Sequence, residues 1–349
     1  MNHIVNNRFD LSIMIVNWNS AEYLRKCLSS IFSIKSEFRL ETLVADNGSF
    51  DGCGEMLRED FPQVRFWQLP TNVGFAAANN FLFQLSRGKN LLFLNPDTEV
   101  VGHGLRRMLE VLADRADAGL AGPCLVDSGL TSHRNCMRRF PTLLNQVLDA
   151  AVVRRIFLSP RRQSLGAGAG RASDPVAAEV VPGTCLMIKR DVFVEAGQFD
   201  EKYFMYAEDI DLCYSVRKLG WKIYYIPDAI VIHHGGQSSR QRAESAFSAV
   251  LMRDGVWKFL AGSRGHLYAT AYRTATSAAA LCRLAIAAGL WLVSGRERRQ
   301  AWRATIIKWA SVWRWSLGLE RWVNSLCASQ RPPTSKLIPA ASHGQRVHA

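Results

Sequence analysis

Short apolar runs alternate with helical patterns through the first hundred residues of the chain. Four runs have the length of buried strands and lie at residues 11–16, 41–45, 64–69 and 90–94. The first amphipathic segment between them places four apolar residues on one helical face: Leu24, Cys27, Leu28 and Ile31. Asn19 and Glu22 have the spacing of a capping box before that helix. The alternation predicts an α/β fold, a mostly parallel sheet with helices on both faces.

Polar residues follow each of the four predicted strands. They fall into four groups: Asn17, Trp18 and Asn19; Asp46, Asn47, Gly48 and Ser49; Asn72 and Gly74; Asn95, Pro96 and Asp97. The carboxyl ends of parallel strands meet at one edge of a sheet, where ligands of such folds bind. We therefore expect these residues to line one site.

An acidic cluster begins a later predicted helix. Glu208, Asp209 and Asp211 precede apolar residues at helical spacing, and Gly220 follows as a C-terminal cap. Negative charge is favoured at this end of the helix dipole by a few tenths to about 1 kcal/mol, so a purely structural role is open. A strand that runs into a helix (179–193) precedes the cluster, and two strands (222–226 and 229–234) follow it.

Composition divides the chain into three parts. Residues 1–240 predict the α/β domain, with a Pro-, Gly- and Ala-rich loop insertion at about 155–178. Residues 241–328 predict basic helices, and residues 329–349 a disordered tail. Residues 240–349 hold 17 of the 43 Lys and Arg residues but only 4 of the 30 Asp and Glu residues, and seven of the ten tryptophans. A basic, Trp-rich region favours a membrane surface or nucleic acid as its partner.

The eight cysteines contain no CxxC pair and no metal-type spacing. Together with a start that lacks a basic-then-apolar signal pattern, they predict a reduced, cytoplasmic protein. The longest weakly charged run, residues 275–293, is Ala-rich and holds Arg283 in its middle, so we expect it to be interfacial or packed rather than spanning a bilayer.

Six segments between residues 11 and 239 occur in the order known from one enzyme family. They are "IVNWNSAEYLRKCLSSI", "VADNGSFDG", "NVGFAAANN", "FLNPDTEV", the stretch from "GTCLMIKRDVF" through "YFMYAEDIDLCYSVRKLGW" to "AIVIHH", and "GGQSS". Their ordered set resembles the family 2 glycosyltransferases of GT-A (Rossmann-like) fold, and within them the rhamnosyltransferase-like branch that builds bacterial surface polysaccharides.

The resemblance implies a binding site for a nucleoside diphosphate sugar (a dTDP- or UDP-sugar). Asp46 matches a family residue that accepts a hydrogen bond from the ring N–H of a uracil or thymine base. Trp18 would wall the base, and the other implied nucleotide-binding residues are Asn17, Asn72, Gly74 and Asn95. The structural alternative for Asp46 is a turn residue that caps the next helix.

The resemblance also implies a divalent metal ion, Mg²⁺ or Mn²⁺. Asp97 matches the acidic metal motif, and Asn95 stands where many family members carry Asp, which leaves Asp97 as the charged ligand of this segment. His233 is the expected second ligand, with His234 as the alternative, because neighbouring side chains on a strand point to opposite faces. Asn-Pro-Asp could instead be only a tight turn.

The family assigns the general base to the position of Asp209. Transfer with inversion needs a base on the face opposite the leaving phosphate, where it takes the proton of the acceptor hydroxyl. Glu208 would orient or bind the acceptor, and Gly183 and Thr184 lie in the matching acceptor-binding segment. Arg138 or Arg139 could contact phosphates, with a solvated basic loop as the equal alternative.

A Trp-Arg helix follows residue 297. Its apolar stripe is Trp302, Ile306, Trp309, Trp313 and Leu317. Tryptophan and arginine together suit an anionic headgroup layer, so the region predicts a peripheral enzyme at the inner face of the cell membrane. The alternative is a helical cap packed on the catalytic domain. Nucleic acid is not expected, because residues 1–239 hold 26 basic and 26 acidic residues.

These observations predict an inverting, metal-dependent glycosyltransferase. The expected reaction moves a sugar, L-rhamnose from dTDP-rhamnose, onto a polyprenyl-diphosphate-linked glycan. A sugar nucleotidyltransferase is one alternative, although it should carry a Gly-rich, basic phosphate loop where this chain has "NWNS". The other is a non-catalytic module that binds a sugar nucleotide.

Overall fold

The computed structural model describes residues 9–34, 38–129, 136–148, 174–235 and 246–328. Within these ranges the strands are β1 Phe9–Asn17, β2 Leu40–Asp46, β3 Arg65–Gln68, β4 Gly88–Leu94, β5 Thr98–Val100, β6 Ala118–Val126, β7 Val176–Ala178, β8 Cys185–Lys189 and β9 Lys222–His233. The helices are α1 Ala21–Ser33, α2 Cys53–Asp60, α3 Phe75–Leu85, α4 Gly104–Asp114, α5 Leu143–Leu148, α6 Arg190–Glu195, α7 Glu208–Lys218, α8 Ala246–Arg264, α9 His266–Val293, α10 Arg296–Ser316 and α11 Trp322–Ala328.

All nine strands join one sheet in the order β3-β2-β1-β4-β8-β6-β9-β5, with β7 paired to β9. The first four strands in this order are parallel, as the alternation predicts. The remainder is mixed, because β8 runs antiparallel to both β4 and β6, whereas β6 and β9 are parallel. The register pairs Asn17 with Asp46 and Asp46 with Gln68, so polar residues at the ends of three strands lie side by side.

Helices cover both faces of the sheet, as predicted. On one face, the predicted stripe of α1 packs on Leu11, Ile13 and Ile15 of β1. On the other face, α3, α6 and α7 pack on the side chains that point the opposite way, such as Met14. Residues 11–15 of β1 are buried on both faces, which explains why four of these five residues are apolar.

Two local predictions are wrong. The Asn19–Glu22 capping box does not form, because no side chain of the helix start caps α1. The Asp51 carboxylate accepts the N–H groups of Ser20 and Ala21 at 2.8 and 2.9 Å instead. The two strands predicted at 222–226 and 229–234 form the single strand β9, which absorbs the Pro-Asp sequence as a bulge between Ile226 and Ile230.

The helices after residue 246 form a further packed cluster. Part of the predicted stripe of α10 is used there, since Trp309 and Trp313 pack against this cluster, whereas Leu317 is exposed. Arg253 and Arg283 both stack on Trp309, with guanidinium carbons 4.8 and 4.2 Å from the ring centroid. Stacking on an indole lets arginine lie among apolar residues. These two tryptophans of the stripe thus pack inside the helical region.

One helix among the described residues, α9, is long and apolar enough to cross a membrane by length and composition. It has 28 residues, and its most apolar window has a mean hydropathy of 1.7. Part of its first half is tied to neighbouring elements. Arg273 donates hydrogen bonds to the backbone oxygens of Trp315 and Ser316, and Tyr268 accepts one from the N–H of Leu143.

The predicted tail at 329–349 lies outside the described residues, as does most of the predicted loop at 155–178. Of that loop, residues 174–178 are described and include β7.

Candidate active site

A cavity of about 290 Å³ lies at the carboxyl ends of β1, β2 and β4. Of the twelve residues to which the family resemblance gives a role in the site, eight line it: Trp18, Asn72, Asn95, Asp97, Gly183, Thr184, Glu208 and Asp209. They come from segments as far apart in sequence as β1 and α7. Four other predicted residues are not among the lining: Asn17, Asp46, Gly74 and His233.

Asp46 is fully buried beneath the cavity, and its carboxylate is surrounded by donors. Hydrogen bonds reach it from the Asn17 amide, the Ser49 N–H and hydroxyl, the Phe50 N–H and the Gln68 amide. Burial acts to raise the pKa of Asp46, but these hydrogen bonds outweigh it and hold the pKa below its ordinary value. The carboxylate therefore organises the ends of β1, β2 and β3, and its contact with a base stays a prediction.

Asp46 belongs to a group of three potential metal ligands that the sequence does not predict. Asp46, Asp51 and Cys53 offer ligand atoms within 4.8 Å of one another. The Asp51 oxygens already accept hydrogen bonds from the N–H groups at the starts of α1 and α2. Burial, followed by the charges of both aspartates, raises the pKa of the Cys53 thiol. This arrangement fits helix capping better than metal binding.

Asn72 is oriented by a second asparagine. Its side-chain oxygen accepts hydrogen bonds from the Asn47 amide and the Gly74 N–H at 3.0 and 2.9 Å. Because the oxygen is held in this way, the NH₂ group of Asn72 is left as the donor for the cavity. Gly74 has φ +86°, and a Cβ there would lie 2.5 Å from the Phe204 carbonyl oxygen. It therefore allows the segment before α7 to approach α3.

Asp97 and His233 come together at the edge of the cavity. The His233 Nε2 lies 3.3 Å from the Asp97 Oδ2. Adjacent ligands of one octahedral ion with metal–oxygen distances of about 2.1 Å lie about 3 Å apart, so this pair fits two positions around one cation. The pairing of β5 with β9 places Thr98 opposite His233 and so fixes this approach.

His234 points away from Asp97 and has other partners. Its Nε2 lies 2.6 Å from the Glu99 Oε1, and its Nδ1 lies 3.1 Å from the Ser128 hydroxyl. Opposite orientations of neighbouring residues are what a strand dictates. The geometry therefore favours His233 over His234 as the expected second ligand, and ligation itself stays a prediction.

Asp209 is held at the start of α7 with its carboxylate in the cavity wall. Its Oδ2 accepts the Gly183 N–H at 3.0 Å and its Oδ1 accepts the Ile210 N–H at 2.9 Å. A Cβ at Gly183 would lie 3.2 Å from the Asp209 Cβ, so glycine permits this close approach. The two bonds fix the orientation of the carboxylate, which a positioned base requires.

Glu208 lies next to Asp209 and is also buried. Among the described residues, its Oε2 has no hydrogen-bond partner. Burial, and then the charge of Asp209, raises the pKa of Glu208 to about 8. Near neutral pH the side chain can therefore keep its proton and donate a hydrogen bond. Two adjacent carboxyl groups in different environments are suited to different roles.

A strained turn leads into this acidic pair and is supported by α8. Tyr206 and Ala207 have φ values of +71° and +73°, the left-handed region that costs about 1 kcal/mol or more for residues other than glycine. Gly255 of α8 packs directly beneath them, since a Cβ there would lie 2.6 Å from the Tyr206 oxygen. Lys258 of the same helix donates a hydrogen bond to the Lys202 carbonyl at 2.8 Å.

Comparison with known proteins identifies the family of the chain. The family model described as "Glycosyl transferase family 2" matches residues 12–196, more than half of the chain. The chain belongs to this family.

Two relatives of this family 2 glycosyltransferase support the rhamnosyltransferase-like branch. The N-acetylglucosaminyl-diphospho-decaprenol L-rhamnosyltransferase of Mycobacterium tuberculosis (strain H37Rv) is 28% identical over 252 residues, covering 68% of this chain and 80% of the relative. Rhamnosyltransferase WbbL of Escherichia coli (strain K12) is 27% identical over 247 residues, covering 67% and 87%.

The solved mannosyltransferase PcManGT from Pyrobaculum calidifontis, in complex with GDP-Man and Mn²⁺, has the same kind of fold. Its TM-score is 0.50 at 16% sequence identity, over 90% of this chain and 88% of that one. The GT-A fold predicted from the motifs is confirmed.

Sequence reasoning about this family 2 glycosyltransferase missed part of the cavity. Arg138, which the sequence left undecided, lines it, whereas Arg139 does not. Four residues of α8 form another wall: Phe247, Ser248, Met252 and Val256. Nothing in the motifs points to this helix, because its contacts with the site cross about 40 residues of sequence. The region predicted only as membrane-associating thus contributes to the cavity.

Glu208→Gln is expected to change how the stability of the enzyme depends on pH. The side chain of an unfolded Glu titrates near pH 4.3, roughly four units below the folded pKa. Between these two values the folded chain holds a proton that the unfolded chain has lost, so stability falls as the pH rises. Gln has no such proton. The difference in melting temperature, variant minus parent, should therefore increase by several degrees between pH 5 and pH 8.

The control for this measurement is Glu59→Gln, the same change at an exposed position of α2. Its difference from the parent should stay flat over the same pH range. A flat difference for Glu208→Gln as well would show that Glu208 is not protonated in the folded enzyme.

Gly255→Ala is expected to displace the turn that positions Asp209. The new methyl group would meet the Tyr206 oxygen at 2.6 Å and the Ala207 Cβ at 3.0 Å. Overpacking of this kind costs about 1–3 kcal/mol of stability. We expect kcat to fall by roughly ten-fold or more with a smaller change in the donor KM, measured by nucleoside diphosphate release together with thermal unfolding.

Gly262→Ala is the matched control, because it makes the same change in the same helix. Among the described residues, the one atom within reach of a Cβ there is the Lys202 Nζ, at 4.0 Å. Alanine is the better helix former, so this variant should keep its activity and its stability. Equal kcat values and melting temperatures for the two variants would show that α8 does not support the turn.

Proposed function

We propose that this chain is an inverting, metal-dependent glycosyltransferase that moves L-rhamnose from dTDP-rhamnose to a polyprenyl-diphosphate-linked glycan. The observation that carries the proposal is the convergence of Asp97, Glu208 and Asp209 on one cavity that Trp18 and Asn72 also line. The names of three relatives support the sugar: the two rhamnosyltransferases described above and the dTDP-rhamnosyl transferase RfbF of Shigella flexneri, 23% identical over 217 residues. The name of the mycobacterial relative supports a diphosphate-linked lipid as acceptor.

In the proposed reaction, Asp209 takes the proton of an acceptor hydroxyl as its oxygen forms a bond to the anomeric carbon of the donor sugar. The bond from that carbon to the diphosphate oxygen breaks on the opposite face, and the nucleoside diphosphate leaves with the electron pair. Glu208, whose raised pKa lets it keep its proton, would donate a hydrogen bond that orients the acceptor. Asn17, Trp18, Asp46, Asn72, Gly74 and Asn95 remain the proposed nucleotide-binding residues, and Gly183 and Thr184 the proposed acceptor contacts.

Charge on the leaving diphosphate must be neutralised within a cavity wall that holds three carboxyl groups. Arg138 is the cationic side chain among the described residues that line the cavity, and we assign it to a phosphate. Asp97 and His233 would hold Mg²⁺ or Mn²⁺, a Lewis acid that stabilises the leaving diphosphate when bound. Their spacing of 3.3 Å supports this assignment. The proposed place of work is the cytoplasmic face of the cell membrane, where lipid-linked acceptors lie.

A donor screen tests the proposal. The purified protein is mixed with acceptor-containing membranes and, in turn, with dTDP-rhamnose, other dTDP-sugars and UDP-sugars, while nucleoside diphosphate release is followed with and without EDTA. Acceptor-dependent release that EDTA suppresses supports the proposal. A parallel reaction contains a nucleoside triphosphate and a sugar phosphate in place of the donor. Release of inorganic diphosphate in that reaction would instead indicate a sugar nucleotidyltransferase. Binding of the donor without any turnover would indicate a non-catalytic module.

A further inference from the structure

The end of the α9–α10 hairpin combines an apolar and a basic surface. Residues 285–293 of α9 contain no charged side chain, and three large apolar residues there are strongly exposed: Ile286 at 59%, Leu292 at 65% and Val293 at 82%. After the turn at 294–295, α10 begins with exposed Arg296, Arg298, Arg299 and Arg303 and with Glu297. Four positive charges and one negative leave a net charge of +3 beside the apolar segment. We call residues 285–303 the hairpin end.

The two surfaces are fixed relative to each other. Arg299 donates a hydrogen bond across the turn to the Ser294 oxygen at 3.0 Å. Its guanidinium carbon also lies 5.2 Å from the centroid of the Trp291 ring. A basic side chain therefore lies against the apolar helix, an arrangement suited to the boundary between headgroups and acyl chains.

We infer that the hairpin end docks this enzyme onto an anionic lipid bilayer, with Leu292 and Val293 among the acyl chains and the arginines at the phosphate level. The inference extends the proposed function by naming the surface that contacts the membrane. It differs from the sequence prediction, which gave this role to the Trp stripe of α10. Trp309 and Trp313 of that stripe pack against neighbouring helices, whereas Leu292 and Val293 of the hairpin end are exposed.

The length of the exposed apolar segment favours an interfacial position over a spanning one. Nine residues of helix extend about 14 Å, less than half of the roughly 30 Å hydrocarbon core. Three residues in the preceding part of α9 are buried against the protein: Ala269, Tyr272 and Ala280. Arg283, in the middle of the apolar run, is stacked on Trp309.

Charge decides between a bilayer and a second copy of the chain as the occupant. In a two-fold dimer the same patch meets itself, which would bring two surfaces of net charge +3 together. Anionic headgroups instead attract arginine, and each arginine near the surface raises the partition coefficient onto the membrane roughly five-fold. The bilayer is therefore the occupant that both the apolar and the basic surfaces fit.

Vesicle co-sedimentation of the full chain tests this inference without donor or acceptor, so its result is independent of the proposed reaction. Vesicles of phosphatidylcholine alone are compared with vesicles that also contain phosphatidylglycerol. The parent should bind the anionic vesicles more tightly, and salt should weaken that binding. Leu292→Glu with Val293→Glu should lower partition by roughly ten-fold or more on both vesicles. Arg296→Gln with Arg298→Gln and Arg303→Gln should lower it by on the order of 100-fold on anionic vesicles only.

Leu267→Glu is the matched control. Leu267 is 91% exposed in the same helix, but it lies 25 residues before Leu292, about 37 Å along the axis. This variant should bind as the parent does. Equal losses for the control and the Leu292/Val293 variant, or no binding of the parent to either vesicle, would overturn the inference. A further result would also overturn it: the parent does not bind vesicles but sediments as a dimer, and the Leu292/Val293 variant sediments as a monomer.

Discussion

Asp209→Asn is expected to lower kcat by about 10²- to 10⁴-fold, the usual contribution of a positioned general base. The amide cannot take the acceptor proton, whereas the size of the side chain is kept. In the proposed reaction the nucleoside diphosphate of the donor lies on the opposite side of the reacting carbon from Asp209, so the donor KM should change by less than about three-fold. Initial rates of nucleoside diphosphate release at saturating acceptor measure both quantities.

A structural effect of the same substitution must be separated from the chemical one. Both Asp209 oxygens accept backbone N–H groups, from Gly183 and Ile210, and the new NH₂ group would face one of these donors. Thermal unfolding of the variant should therefore accompany the kinetics. Asp114→Asn, an exposed aspartate at the end of α4, provides the control and should leave kcat unchanged. Turnover near the parent rate in a folded Asp209→Asn enzyme would place the base elsewhere.

Removal of the divalent ion is the second change with a large expected effect. EDTA should abolish turnover, and added Mg²⁺ or Mn²⁺ should restore it. Asp97→Asn should raise the metal concentration needed for half-maximal activity by about two orders of magnitude or more. Substitutions of residues that only support a metal ligand typically cause a 10- to 100-fold loss, and loss of a ligand itself should cost more. The substitution would remove the proposed charged ligand of this segment, so the leaving diphosphate would lose the neutralisation that a bound metal ion supplies.

The two neighbouring histidines provide an internal control for the metal site. His233→Asn removes the imidazole that lies 3.3 Å from Asp97 and should also raise the metal requirement. His234→Asn removes an imidazole held by Glu99 and Ser128 and should leave the requirement unchanged. Turnover that persists in EDTA, or equal titrations for the two variants, would contradict the assignment.

The sequence predicted the part of the fold that depends on local periodicity. The α1 stripe and the strands β1 to β4 follow from apolar spacing, because burial on one or both faces imposes that spacing. The cap of α1 could not be predicted in the same way. Asp51, which supplies it, lies about 30 residues from the helix start, whereas a capping box is recognised within four residues.

The candidate site was predictable where family motifs carry it and not elsewhere. Eight of the residues expected from motifs line one cavity, including Asp97 and Asp209. The wall formed by α8 has no motif, since Phe247 and Met252 differ little from ordinary core residues in sequence. Periodicity likewise identified the Trp stripe of α10 as one face, but it cannot say whether lipid or another helix covers that face.

The anomeric configuration of the product tests the central claim most directly. Purified enzyme, dTDP-rhamnose labelled at the anomeric carbon and a diphosphate-linked lipid acceptor are allowed to react, and the product is examined by NMR. We expect one new glycosidic bond of configuration opposite to that of the donor, formed in equal amount to the nucleoside diphosphate released and only when a divalent cation is present. A product of retained configuration, or donor cleavage with no bond to the acceptor, would contradict it.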